Sequence, residues 1–150
     1  LSEKLKETNV ICYNKAMVGS NKPVGFFYHT RNHGGHKPIF GEETLTYLNE
    51  KRFSSYWNRT EIDSISFIDF VNDNDISKID FLKLDCEGSE YEIFKNINEN
   101  NLWNKILNIS FEIHGPKSDQ KVLLDCLRKY YKNVSGKKII HCRDLYEKYR

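Results

Sequence analysis

Ile79-Asp80-Phe81-Leu82-Lys83-Leu84-Asp85-Cys86-Glu87-Gly88-Ser89-Glu90 joins a nearly continuous apolar run to a turn and a helix start, and this order decides the fold. Residues 79–86 read as a buried strand. Ser89 reads as the N-cap of a helix, with Glu92 three residues on and placed to reach back to the Ser89 amide in a capping box. Tyr91, Phe94 and Ile97 then recur at helical spacing and give that helix a buried stripe. The same alternation continues outward. Residues 106–113 form a second apolar strand, and 118–132 a second amphipathic helix carrying Val122, Leu123, Cys126, Leu127 and Tyr130. Residues 138–141 form a final strand. Upstream, residues 10–13 and 24–29 read as short strands, 66–72 as a short helix, and 1–8 as the polar end of a surface helix. Alternating strands and helices predict one α/β domain with a mostly parallel sheet and helices on both faces.

Composition narrows the function. The chain has 150 residues, a net charge of +2 and 39% hydrophobic residues, which excludes disordered, collagenous and coiled-coil classes. A pI near 8.3 leaves no overall electrostatic footprint that demands nucleic acid. The apolar runs are too short to span a bilayer, so no membrane partner is expected. Residues 1–9 are polar and carry no secretory core, which reads as a cytoplasmic segment, cut from something longer. Cys12, Cys86, Cys126 and Cys142 are dispersed, without zinc-site spacing, and read as buried free thiols.

Chemistry concentrates where the first strand ends. Ligands of open α/β sheets bind at the carboxyl ends of the strands. Capping accounts for Ser89 and the helix dipole for Glu90, but neither explains why Asp85 and Glu87 are acidic, so those two are candidates for a ligand or catalytic role. Along residues 109–114, Ser110, Glu112 and His114 share one strand face and the apolar residues the other. Glu112 then either faces a cavity or partner, or pairs with a Lys or Arg beneath a covering helix. His114 is either a general base or a satisfied surface histidine. Residues 29–42 read as a long exposed loop, in which His29, His33 and His36 are loop chemistry rather than a metal set, and Arg31 and Lys37 suit an anionic substrate. The aromatic residues of 53–57 read as core or sheet edge.

Residues 79–90 resemble the "D-x-L-K-x-D-x-E-G-x-E" signature of the FkbM-type S-adenosylmethionine-dependent methyltransferases. Asn14-Lys15-Ala16-Met17-Val18 is similar to that family's "n-x-A-v" passage, residues 65–72 to its "s-L-D-d-f" segment, and residues 109–114 to its "i-x-x-E-x-H" strand. The resemblance implies a Rossmann-like methyltransferase fold and an O-methyltransferase that moves a methyl group from S-adenosylmethionine to a hydroxyl of a sugar or natural product. It implies catalytic roles for Glu112, His114 and Glu87 and cofactor contacts for Asp85, Asn14 and Ala16. A divalent ion held by Asp85, Glu87 and Glu112 would lower the acceptor's pKa, but it ranks lower because the adjacent helix N-terminus repels cations, so no metal is expected. The partner is a small-molecule or glycan acceptor, held by residues 31–41 and 55–59.

The family's Gly-rich cofactor turn and the acidic strand end that follows it have no counterpart here. Gly34-Gly35 lacks the strand-turn-helix context to replace the turn. About two βα units, roughly 60 residues, are missing by that pattern, so the fold is expected to lack its first two strands and to bare one edge of residues 81–85. A longer parent chain, or a homodimer that pairs the exposed edges, resolves that edge. The alternative function is a degenerate methyltransferase-like module that binds a glycan or protein partner without catalysis. An enzyme using another nucleotide cofactor has no motif in its favour.

Overall fold

The computed structural model describes residues 9–21, 24–29, 37–38 and 57–149. Nine strands and three α-helices occur among these residues, in three sheets. β1 (Ala16–Val18) runs parallel to β5 (Ser64–Ser66). β2 (Val24–His29) lies between β3 (Lys37–Pro38) and β4 (Trp57–Ile62), antiparallel to both. The largest sheet has β6 (Leu82–Leu84), β7 (Ile109–Glu112), β8 (Tyr131–Gly136) and β9 (Ile139–Leu145) in the order β6-β7-β9-β8. β6 and β7 are parallel, whereas β9 is antiparallel to both of its neighbours. The domain is therefore α/β, but its sheets are small and mixed rather than mostly parallel.

The helices α1 (Phe67–Asp73), α2 (Glu90–Glu99) and α3 (Lys117–Leu127) send Phe67 and Val71, Ile93, Phe94 and Ile97, and Leu123 and Leu127 into one apolar cluster. Leu84, Ile109, Phe111, Ile140 and Cys142 join that cluster from one face of the sheet. The alternate residues form the opposite face, where Lys83, Ser110, His141 and Ser135 stand in register across the four strands. Among the described residues the helices thus cover one sheet face, not two. β6 has β7 as its neighbour on one side and no strand on the other among the described residues.

Several expected elements shift. Residues 10–13 are not a strand, and Val10, Ile11 and Tyr13 are exposed, because the paired segment begins at Ala16. The strand expected over 79–86 contracts to β6, preceded by an isolated bridge from Ile79 to Ile106. The second helix ends at Leu127, and β8 takes residues assigned to its tail. Lys37 and Pro38 pair with β2 instead of lying in a loop, and Trp57, Asn58 and Arg59 belong to β4. The expectations for residues 1–8, for Arg31, His33 and His36, and for 53–56 lie outside the described residues. Cys142 is buried, with its thiol pushed up to about 12 by that burial, while Cys12 is exposed, against expectation. Among the described residues, no helix is long and apolar enough to cross a membrane.

Gly136 closes the β8–β9 turn at φ +117°, and a Cβ there would sit 1.9 Å from the Ile139 carbonyl oxygen. Gly136→Ala is expected to cost about 2–3 kcal/mol or more, because the backbone region is nearly closed to other residues and the clash is with main chain. Urea unfolding read by far-UV circular dichroism checks this.

Candidate active site

β6 ends at Leu84 and α2 begins at Glu90, and the chain turns between them through two successive left-handed residues, Glu87 at φ 51° and Gly88 at φ 111°. Glycine reaches such angles freely, whereas Glu87 must be held there. The holder is Glu90. Its side chain is 1% exposed, one oxygen accepts the Cys86 N–H and the other the Gly88 N–H, each at 2.8 Å. One carboxylate thus satisfies two amides of the turn. The expected capping box does not form: Ser89 is already helical, at φ −68° and ψ −12°, and its side chain makes no cap bond.

The same carboxylate reaches the neighbouring strand. Glu90 Oε1 lies 3.3 Å from Nδ1 of His114, two residues beyond the end of β7. The Tyr91 hydroxyl donates to the His114 carbonyl, so α2 fixes this residue by ring and by backbone. Because the Glu90 carboxylate can only accept, Nδ1 carries the proton toward it, and in the neutral ring Nε2 is left as the acceptor. Nε2 lies 3.6 Å from Glu112 Oε1 and 3.8 Å from Glu87 Oε2. Both carboxylates thus stand beside Nε2.

Glu112 is half-buried and its Oε1 lies 2.6 Å from the Lys138 ammonium. Of the two readings of this residue, the ion pair is the one seen. Its cation comes from the β8–β9 turn and not from beneath a helix. The hydrogen bond from Lys138 holds the Glu112 carboxyl below its usual value of 4.5, against partial desolvation, with the Lys138 and His114 charges helping. A lowered folded-state pKa contributes stability above the unfolded value, and that contribution is lost as pH falls through the folded value, here below 4.5. Lys138→Met is expected to move the Glu112 carboxyl titration back up toward 4.5, measured from its side-chain carbon shift across an NMR pH series.

Cys86, between the two acidic residues, is kept a thiol: burial first, then the Glu90 charge, pushes it up to about 11. Asp85 and Glu87 are exposed at the rim of the cluster. One ligand-type atom each from Asp85, Glu87 and His114 lies within 4.8 Å of the others, so His114 takes the place of Glu112 in the carboxylate trio considered from sequence.

Asp85, Glu87, Glu112 and His114 therefore gather at the carboxyl ends of β6 and β7. Asn14 is exposed, and Ala16 sits in β1, paired with Ser64; among the described residues neither hydrogen-bonds or pairs with a member of the cluster. Glu90 was missed as a site residue because a glutamate at a helix start is ordinarily explained by the dipole. The signal for it is its position two residues after Gly88, where a turn has amides to satisfy.

No curated protein and no solved structure matches the chain. Its sequence does match the Methyltransferase FkbM domain over residues 3–137, a span that holds the whole cluster. With the signature turn and the strand bearing Glu112 and His114 both inside that match, the chain belongs to the FkbM methyltransferase family.

Proposed function

We propose that the chain supplies the acceptor-handling side of an S-adenosylmethionine-dependent O-methyltransferase acting on a hydroxyl of a sugar or natural product. The observation that carries this reading is the convergence of Glu87, Glu112 and His114 at one sheet edge in an FkbM-family chain. An acceptor hydroxyl lodged against His114 gives its proton to Nε2, and Glu87 and Glu112 stabilise the imidazolium that results. Glu90 keeps the ring in the tautomer this transfer needs. Asp85 orients the acceptor or meets the cationic end of the cofactor.

The residues fit the cofactor at that cationic end alone. Gly88, the glycine beside the carboxylates, has no atom within 4 Å of where a Cβ would stand, so it is not a cradle that close approach has shaped. The sequence holds no glycine-rich strand-to-helix turn elsewhere. In this reading a further segment of chain, or a partner chain, completes the cofactor site. The second reading is a degenerate module that binds a glycan or protein.

Calorimetry with S-adenosylmethionine and its demethylated product, on protein purified from its native source, separates the two, followed by methyl transfer to a panel of sugar hydroxyls. Cofactor binding with turnover supports the enzyme. Folded protein that binds a glycan or protein partner and neither form of the cofactor is the module. Glu112→Ala with cofactor affinity and turnover both unchanged removes Glu112 from proton handling.

A further inference from the structure

Charge is distributed very unevenly along this chain. Residues 128–143 contain six Lys or Arg, a histidine and no Asp or Glu, in a chain whose net charge is only +2, so the rest is net acidic. Arg128 pairs with Asp125 at 2.8 Å and Lys138 with Glu112. Lys132 and Arg143 have no carboxylate partner within 4.0 Å among the described residues. They line a cleft of about 460 Å³ together with Asn133, Ser135, His141 and Asp144. The one acid there, Asp144, accepts a hydrogen bond from the Asn133 amide; Lys132 and Arg143 are both exposed, with the Lys132 ammonium 5.9 Å from the centre of the Tyr146 ring.

This cleft shares a sheet face with the proton-handling cluster. Glu112 stands opposite Ile139, Ser110 opposite His141, and Asn133 opposite Arg143. Four residues along β9 separate the Glu112 row from the Arg143 row, a distance of roughly 13 Å at strand rise. A single extended ligand reaches both. The lining groups match a sugar that bears anionic substituents: a guanidinium fork and an ammonium for sulfate, phosphate or carboxylate, and short amide, hydroxyl and imidazole groups for hydroxyls. No Phe, Tyr or Trp lines the cleft, and His141 is its one ring.

We infer that the β8–β9 cleft binds the anionic part of a carbohydrate acceptor, through Lys132 and Arg143, while the hydroxyl to be modified lies toward His114. The direction of the ligand rests on the methyltransferase reading, whereas the binding site does not. Titration of the chain with a heparin-derived tetrasaccharide tests it. Binding is expected, and Lys132→Glu/Arg143→Glu is expected to weaken it by at least about tenfold. Lys117→Glu/Lys121→Glu, the same charge change on exposed positions of α3, is expected to alter it by less than about twofold. If the double variant of the cleft does not fold, Arg143→Gln alone is expected to weaken binding several-fold. Absence of tetrasaccharide binding overturns the proposal, as does an equal loss in the α3 variant, which would mean unspecific attraction. Equally tight binding of a DNA oligonucleotide of matched charge, lost in the same cleft variant, also overturns it. Cofactor affinity measured on the same samples keeps the two proposals apart: tetrasaccharide bound without any cofactor affinity sinks the enzyme and leaves the cleft, and the reverse sinks the cleft alone.

Discussion

Glu90→Ala is expected to lower folding stability by about 3–5 kcal/mol, measured by urea unfolding monitored at two wavelengths. The loss is this large because one truncation strands several groups. The Cys86 and Gly88 amides lose their acceptor, His114 Nδ1 loses its partner, and a cavity opens at a fully buried position. The turn itself is strained, with a non-glycine residue at φ 51° that the two amide bonds hold in place. Glu90→Gln preserves the volume and one accepting oxygen, so about half of that loss is expected. A Glu90→Ala protein within about 1 kcal/mol of the parent would mean that the turn is held by something other than this carboxylate.

On the proposed function, His114→Gln is expected to reduce methyl transfer by about 10²- to 10⁴-fold in kcat, with KM for the acceptor changed little. Gln retains polarity and much of the bulk but cannot take up a proton. Tyr91 holds residue 114 by its carbonyl, which the substitution leaves intact, so the backbone is expected to stay in place. Rapid-quench measurement of a single turnover with labelled cofactor reads the chemical step directly. A kcat within about threefold of the parent would transfer the proton-accepting role to Glu112 or to solvent.

The elements that were legible in the sequence are those whose spacing matches a single environment. α1 starts where Ser66 caps it, and its bounds fall within a residue of the expected ones. α2 shows its apolar stripe in Phe94 and Ile97, both buried. β7 shows its alternation, with Ile109 and Phe111 inward and Glu112 turned to the cluster. β8 was hidden because Tyr131 and Val134, its inward residues, lie three apart and mimic helical spacing. That spacing goes with a local change of side: opposite β8, Asp144 takes φ 58°, and both Tyr131 and Leu145 turn into the core. Periodicity cannot anticipate such a flip. The convergence of Asp85, Glu87, Glu112 and His114 was legible from their places at strand ends. Glu90 and Lys138 were not, since the first needs the turn's geometry and the second needs a hairpin that brings residue 138 beside residue 112.

The order β6-β7-β9-β8 also constrains the sequence of events by which the chain folds. β9 is synthesised after β8 yet lies inside it, against β7, so β8 cannot enter the sheet until β9 exists. Pairing within residues 131–145 is local and closes through the short Gly136 turn, on the microsecond scale of hairpins. Attaching that hairpin to β7 closes a much longer loop, through α3, and is the slower event. Until it happens, Ile109 and Phe111 are exposed along one flank of β7, which makes the interval before docking the period in which this chain is most open to association with other chains.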